Sequence, residues 1–271
     1  MYSNKTILIT GCSKGFGYLF ALSLARAGFQ VAATSRSLSR MQELADTANK
    51  EKLPIKFYEL DVTISESIKN AIKHIVQDFN HIDVLINNAG YGLVSHVEHV
   101  SPREIKDQFD TNVFGLVEVS QAVIPFMKEN RSGHIINISS AAAAIVLPSM
   151  GIYAASKWAV EAISEAMYLE LRPDNINISL IEPGPYHTSF GASSVRNENM
   201  EINSWQKQKK KLQGPFFREP QEVADLVVRI VKSRQPRLRY APGLPAKLGF
   251  FVRKILPQEL FIRIEDFLIR M

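Results

Sequence analysis

Apolar residues along the first two thirds of the chain gather in short runs at 6–10, 31–34, 55–60, 84–87, 135–139 and 176–182. Between them, at 16–27, 38–50, 65–79 and 153–171, apolar positions return every three or four residues. Runs that are apolar nearly throughout predict strands covered on both faces, as in a parallel sheet, and the longer periodic stretches predict helices. Ser65 with Glu66 in the first turn, and Ser101-Pro102-Arg103-Glu104 with proline at the first helical position, mark two helix starts. Strand and helix alternating in this way predict right-handed crossovers and a doubly wound, Rossmann-like α/β sheet. The alternation weakens after Gly184. Residues 191–213 are polar and irregular, a helix is predicted at 220–233, a short strand at 238–240, and an apolar, basic tail at 241–271. No repeat or low-complexity linker interrupts the chain, so 1–271 reads as one domain with 185–217 as a substrate lid.

Composition sets the surroundings. The chain is 46% hydrophobic and 22% charged, ordinary for a globular protein. It has no apolar stretch long enough to cross a membrane, and residues 1–5 pass straight into the first strand without a signal peptide's apolar core. A single cysteine, Cys12, suits a reducing cytoplasm, with packing its expected role although a helix N-terminus lies nearby. The net charge of +5 is concentrated at one end: residues 201–271 hold 15 Lys/Arg against 7 Asp/Glu. That surplus reads as a solvated basic face or as attraction to an anionic membrane surface or an acidic partner. Nucleic-acid binding through the lysine-rich run 207–211 is disfavoured, because only Trp205 lies close enough to stack on bases. His96 and His99 lack a companion carboxylate or cysteine cluster, so no metal site is expected.

The first run ends in Thr10-Gly11-Cys12-Ser13-Lys14-Gly15-Phe16-Gly17, and a helical pattern begins at once. Glycines between a first strand and its helix let the backbone bend tightly and approach a pyrophosphate, which the helix N-terminus holds. At the end of the second run, where an acid would bond the ribose 2′-hydroxyl of NAD, the chain reads Ala33-Thr34-Ser35-Arg36. Arg36, with Lys14 in the glycine turn, points instead to the 2′-phosphate of NADP(H). Asp61-Val62 ends the third run, where the carboxylate can accept from an adenine amino group, and Asn87-Asn88-Ala89-Gly90 ends the fourth.

Tyr153 and Lys157 open a long periodic stretch and, four residues apart, share one helix face. A phenol's pKa of about 10 is too high for ready proton exchange near neutrality, and a nearby ammonium lowers it. Ser140 lies thirteen residues before Tyr153, and Asn112 sits inside the preceding helix. With the glycine turn and Asn87–Gly90, this resembles the short-chain dehydrogenase/reductase family, in the branch marked by Thr-Gly-x-x-x-Gly-x-Gly, Asn-Asn-Ala-Gly and Tyr-x-x-x-Lys. The resemblance runs from residue 5 to about 190. It implies that Tyr153 exchanges the proton on the substrate oxygen while hydride passes to or from nicotinamide. Lys157 then lowers the tyrosine pKa and bonds the nicotinamide ribose, Ser140 orients the substrate oxygen, and Asn112 holds a water in a proton relay. Pro183, Gly184 and Thr188 match the family's nicotinamide-side loop. Ser139 is the rival to Ser140, which the spacing favours. Homo-oligomers, dimers or tetramers, are common in the family.

Segments expected to frame the substrate, 91–94, 141–147 and 186–190, are apolar and hold no arginine to clamp a carboxylate or phosphate. A lipophilic alcohol or carbonyl compound is the expected substrate, as for the steroid- and retinol-dehydrogenase-like members that the ending Arg239-Tyr240 and basic tail resemble. The competing class is a cofactor-sensing or scaffold protein on the same fold, which would be expected to have lost Tyr or Lys from the tetrad. Trp158 and Phe114 read as core. In the tail, Leu244, Leu248, Phe251 and Ile255 recur at helical spacing among Lys247, Arg253 and Lys254. Helices packed on the core or on a partner subunit, or a peripheral membrane contact beside the substrate entrance, are both open.

Overall fold

The computed structural model describes residues 5–188, the strand residues 195–196 and residues 218–270. Seven parallel strands form its sheet in the order β3-β2-β1-β4-β6-β7-β9: β1 (Thr6–Ile9), β2 (Gln30–Ser35), β3 (Ile55–Glu59), β4 (Val84–Asn87), β6 (Gly133–Ile138), β7 (Ile176–Ile181) and β9 (Arg239–Tyr240). The order reverses direction between β1 and β4, the crevice where doubly wound sheets bind ligands. Two-residue strands β5 (Leu93–Val94) and β8 (Val195–Arg196), too short for a periodicity signal, pair separately. This is the predicted architecture.

Alternate residues of each strand serve different layers, which is why the runs are apolar throughout. Ile7 and Ile9 face α1 (Gly15–Arg26), α2 (Gln42–Glu51) and α7 (Gln221–Lys232), whereas Leu8 between them faces α3 (Ser65–Phe79), α5 (Gly115–Glu129) and α6 (Gly151–Leu171). Burying a Leu or Ile side chain contributes about 1.5–3 kcal/mol, so a one-residue slip of β1 would forfeit several such terms on both faces. Polar side chains inside the core find one another: the Asn87 Nδ2 amide donates to Asn137 Oδ1 and Ser120 Oγ, both at 2.9 Å.

Several local expectations need correction. The stretch 38–50 is not one helix: a 3-10 turn, Leu38–Met41, precedes α2. The helix α3 does start at Ser65, with Ile64 at the cap position and no side-chain bond there. Ser101 does cap α4 (Pro102–Phe109), with Glu104 completing a reciprocal capping box. Between α4 and α5 the ladder widens into a π-helical turn, Asp110–Phe114. Phe114 and Trp158 are not core; they are 57% and 42% exposed, because each lies on the outward face of its helical segment. The tail forms α8 (Leu244–Ile255) and α9 (Gln258–Arg270). Most of the predicted lid, including 191–194 and the run 207–211, lies outside the described residues.

Candidate active site

The glycine turn after β1 is built for close backbone approach. Gly11 and Gly15 have φ of +75° and +62°, a region that side chains with a Cβ disfavour. At Gly17 a Cβ would lie 2.3 Å from the Gly11 carbonyl oxygen and 2.6 Å from Asn88 Nδ2, so only glycine lets α1 start against the turn. Asn88 clips this turn to the β4 end, its amide donating to Thr10 O at 2.9 Å and Gly11 O at 3.1 Å. The backbone N–H groups of Asn88 and Ala89 in turn donate to Thr10 Oγ1. Thr10 and Asn88 therefore shape the crevice from within. At its rim, α1 has no side-chain cap and no acid in its first turn, leaving free donors and a positive helix end that fit an anion.

Lys14 and Arg36 are both exposed at this corner, and neither takes part in an ion pair among the described residues. Ser13 lies between turn and solvent, while Phe16 stacks on Phe20 and meets the Tyr186 ring edge-on, both at 5.7 Å. Asp61 Oδ1 accepts from Thr63 N and Oγ1, and buried Val62 lies under Gly115, where a Cβ would come within 2.6 Å of its carbonyl. Cys12 does not gain reactivity from the nearby helix start. It is fully buried, its Sγ donates to Ile9 O, and burial pushes its thiol up to about 12.

Tyr153, Lys157, Ser140 and Asn112 converge on one cleft. Tyr153 and Lys157 lie a turn apart on α6, both buried, with the ammonium 5.9 Å from the phenol ring centre. Lys157 Nζ donates to the Ile138 carbonyl at 2.8 Å, which fixes the long side chain against the end of β6. Ser140, two residues past the end of β6, hydrogen-bonds Tyr153, whereas the Ser139 hydroxyl before it is buried without a partner. Geometry thus separates the two serines. Asn112 sits in the π turn; its amide donates to Tyr91 O and Ser156 Oγ while its oxygen accepts from Tyr91 N. A Cβ at Gly90 would lie 3.0 Å from Asn112 Oδ1 and 3.8 Å from Lys157 Nζ, so this glycine gives access to both. π turns of this kind often mark functional sites.

Burial controls the proton affinities. It pushes the Tyr153 phenol up to about 12, a rise that the Ser140 hydrogen bond opposes, and pushes Lys157 down to about 8, opposed by the Glu161 carboxylate. The cofactor-free site therefore holds a neutral phenol beside an ammonium at neutral pH.

The loop after β7 closes one side. Pro183 O accepts from Ala141 N at 2.8 Å, Gly184 lies against Ala246 of α8, and Thr188 ends the described part of the loop. Helices α8 and α9 hold the segment 141–147: Arg253 donates to Ala144 O at 2.8 Å, Glu265 accepts from Val146 N at 2.8 Å, and Gly249 abuts Ile145. Sequence reasoning missed this clamp and also the ion cluster of Arg239 with Glu161, Glu165 and Glu182. The four-residue spacing of 153, 157, 161 and 165 was the available signal. A groove of about 600 Å³ between α3 and α5, lined in part by Ile72, Val76 and Phe126, includes none of the site residues.

Comparison with known proteins finds a family match and several relatives. The family described as short chain dehydrogenase matches residues 5–199. The chain is 34% identical to 3-ketodihydrosphingosine reductase of Bacteroides thetaiotaomicron, covering 88% of each. It is 35% identical to human retinol dehydrogenase 8, covering 87% of this chain and 80% of that one. Among solved structures, a short-chain dehydrogenase/reductase from Burkholderia phymatum in complex with NAD superposes with a TM-score of 0.81 at 25% identity, covering 92% of each chain.

Proposed function

The chain belongs to the short-chain dehydrogenase family of nicotinamide-dependent oxidoreductases, and from that premise we propose that it transfers hydride between NADP(H) and a lipophilic alcohol or carbonyl compound. The single observation that carries the reading is the meeting of Tyr153, Lys157, Ser140 and Asn112 in one cleft beside an uncapped, acid-free helix start. A scaffold that only sensed cofactor would have no use for a buried phenol paired with a buried ammonium.

NADP(H), when bound, supplies or accepts the hydride. Tyr153 gives its phenolic proton to the substrate oxygen in reduction and takes it back in oxidation. Ser140, bonded to Tyr153, donates to the same oxygen as charge develops there. The Lys157 ammonium offsets negative charge left on the phenol, and Asn112 holds a water that links Lys157 to solvent. Thr10, Gly11, Ser13, Gly15, Phe16, Gly17, Asn88, Ala89 and Gly90 shape the dinucleotide crevice, with Asp61 and Val62 at the adenine end and Pro183, Gly184 and Thr188 at the nicotinamide end. Lys14 and Arg36 favour the 2′-phosphate because both cations stand exposed with no acid among them. The neighbour solved with NAD does not choose for this chain, whose own corner carries the argument.

Substrate class follows from apolar segments 91–94 and 141–147, and from relatives named for a sphingoid ketone and for retinol. The tail extends the reading to where such a substrate is met. On α8, Leu244, Leu248, Phe251 and Ile255 share one face and are 55–72% exposed, with exposed Lys247 and Lys254 at its flank. Ala246, Gly249 and Arg253 occupy the opposite face, against the 141–147 loop and Gly184. An apolar stripe beside cations, turned outward next to the substrate loop, fits the surface of an anionic membrane. No helix among the described residues is long and apolar enough to cross a bilayer, and the contact in this reading is a peripheral one. Exposed Phe114 and Leu169 offer apolar surface for a second copy in a dimer or tetramer.

The test follows NADPH absorbance against hydrophobic aldehydes and ketones, and NADP+ against the matching alcohols, with Tyr153→Phe as control. Turnover of lipophilic pairs, lost by several orders of magnitude in the variant, supports the reading. A variant retaining a tenth of wild-type activity removes Tyr153 from the chemistry.

A further inference from the structure

Behind the catalytic pair, α6 continues its four-residue spacing with two acids. Glu161 and Glu165 follow Tyr153 and Lys157 on the same face, and Glu161 is as buried as Lys157, each about 7% exposed. Helical side chains lean toward the N-terminus, which sets the Glu161 carboxylate over the turn that carries Lys157. One oxygen, Oε2, is gripped by the Arg239 guanidinium; the other, Oε1, is buried with no hydrogen-bond partner. Arg239 comes from the edge strand β9 and also pairs with Glu182 Oε1 and Glu165 Oε1, each at 2.5 Å.

Three carboxylates around one guanidinium leave an excess of negative charge. Burial and the neighbouring Glu161 raise the proton affinity of the Glu182 carboxyl, so Glu182 is where a proton relieves the excess. A carboxylate buried this deeply is costly unless cations stand near it, and Lys157 lies one helical turn away. The groups facing Lys157 are few. From β6 comes the Ile138 carbonyl, from the π turn the Asn112 amide, from the loop after β4 Gly90, and from α6 itself Tyr153 and Glu161. Among the described residues, Glu161 is the only anion whose charge acts on the lysine.

Building on the assignment of Lys157 to the reaction, we propose that Glu161, clamped by Arg239, is a positioning residue that supplies the buried counter-charge keeping Lys157 an ammonium during turnover. The clamp touches no reacting atom; besides facing Lys157 through Glu161, it holds Glu182, the residue before Pro183. Arg239, on the last short strand of the sheet, thereby ties the fold's closing edge to the catalytic helix.

The sign of the effect is definite. Burial already pulls Lys157 down to about 8 and Glu161 opposes that pull, so removing its charge lowers Lys157 further. An opposite charge one helical turn away in a buried site moves a pKa by about one unit. Titration of the cofactor-free protein, with its lysines labelled at the ε-carbon and followed by NMR, reads Lys157 directly. In Glu161→Gln, Lys157 is expected to titrate about one unit lower than in wild type, and the alkaline limb of kcat/KM is expected to move down with it. Glu161→Asp, which keeps the charge, restores both toward wild type, whereas Glu165→Gln leaves the limb where it was. If the single variant does not fold, Glu161→Met removes the same charge, leaves Arg239 paired with Glu165 and Glu182, and is expected to lower the titration in the same direction. Lys157 titrating as in wild type in either charge-removed variant overturns the proposal. Activity surviving in Tyr153→Phe would instead overturn the catalytic assignment beneath it.

Discussion

Alcohol oxidation and carbonyl reduction at this site should respond to pH in opposite senses, because Tyr153 must be phenolate for one and phenol for the other. Burial holds the phenol near a pKa of about 12 against the pull of Ser140. Reaching phenolate at about pH 8 spans roughly four units, or about 5 kcal/mol at about 1.4 kcal/mol per unit. Reduction carries none of that cost, since the phenol is the resting form. Oxidation kcat/KM is therefore expected to rise about tenfold per pH unit from about pH 6. The rise should flatten near pH 8, where Lys157, pushed down to about 8, loses the charge that supports phenolate. Reduction should stay level over the same range and fall above it, as the ammonium that offsets the developing phenolate is lost. Initial rates for one alcohol–ketone pair, measured in both directions at constant ionic strength, read the two profiles. In Ser140→Ala the hydrogen bond that lowers Tyr153 is gone, so the oxidation profile should shift to higher pH while reduction keeps its shape at a lower rate. Oxidation independent of pH between about 6 and 8 would refute the assignment of Tyr153 as proton acceptor.

Arg36→Ala should weaken NADPH binding about tenfold or more and leave NADH nearly unchanged, since one charge-assisted bond to the 2′-phosphate is worth about 1.5–3 kcal/mol; equal losses by fluorescence titration would make Arg36 a fold residue. Gly17→Val places side-chain atoms where even a Cβ would stand 2.3 Å from Gly11 O, so the turn must open and the NADPH-induced rise in Tm should disappear. A wild-type rise would show that this turn is not the dinucleotide cradle. Leu248→Asp with Phe251→Asp should abolish sedimentation with anionic liposomes without lowering turnover of a water-soluble ketone. Sedimentation unchanged by these substitutions or by salt would separate the tail from any lipid contact.

The alternation of runs and periods revealed the sheet because every central strand is buried on both faces, and burial is what writes a continuous apolar run. Ser101 was legible as a cap for a similar reason: its bond to Glu104 is local, so three residues of sequence contain it. The glycine turn could be read because Gly11, Gly15 and Gly17 answer to backbone geometry that no other residue meets so cheaply. Three things were not legible, and each depends on distant chain. The π turn that presents Asn112 arises where the ladder is pulled toward Tyr91 and Ser156, neither adjacent in sequence. The clamp on Glu161 needs Arg239, seventy-eight residues away, and a lone Glu four residues after a Lys reads as a surface pair until that partner arrives. The tail shows most clearly what periodicity leaves out. Its spacing announced an apolar stripe on a helix but not the direction the stripe faces. Here the small and charged residues Ala246, Gly249 and Arg253 take the inner face, because the 141–147 loop and Gly184 leave no room there for larger apolar groups. Leucine, phenylalanine and isoleucine are thereby turned out beside the 141–147 loop, where only another apolar surface could cover them.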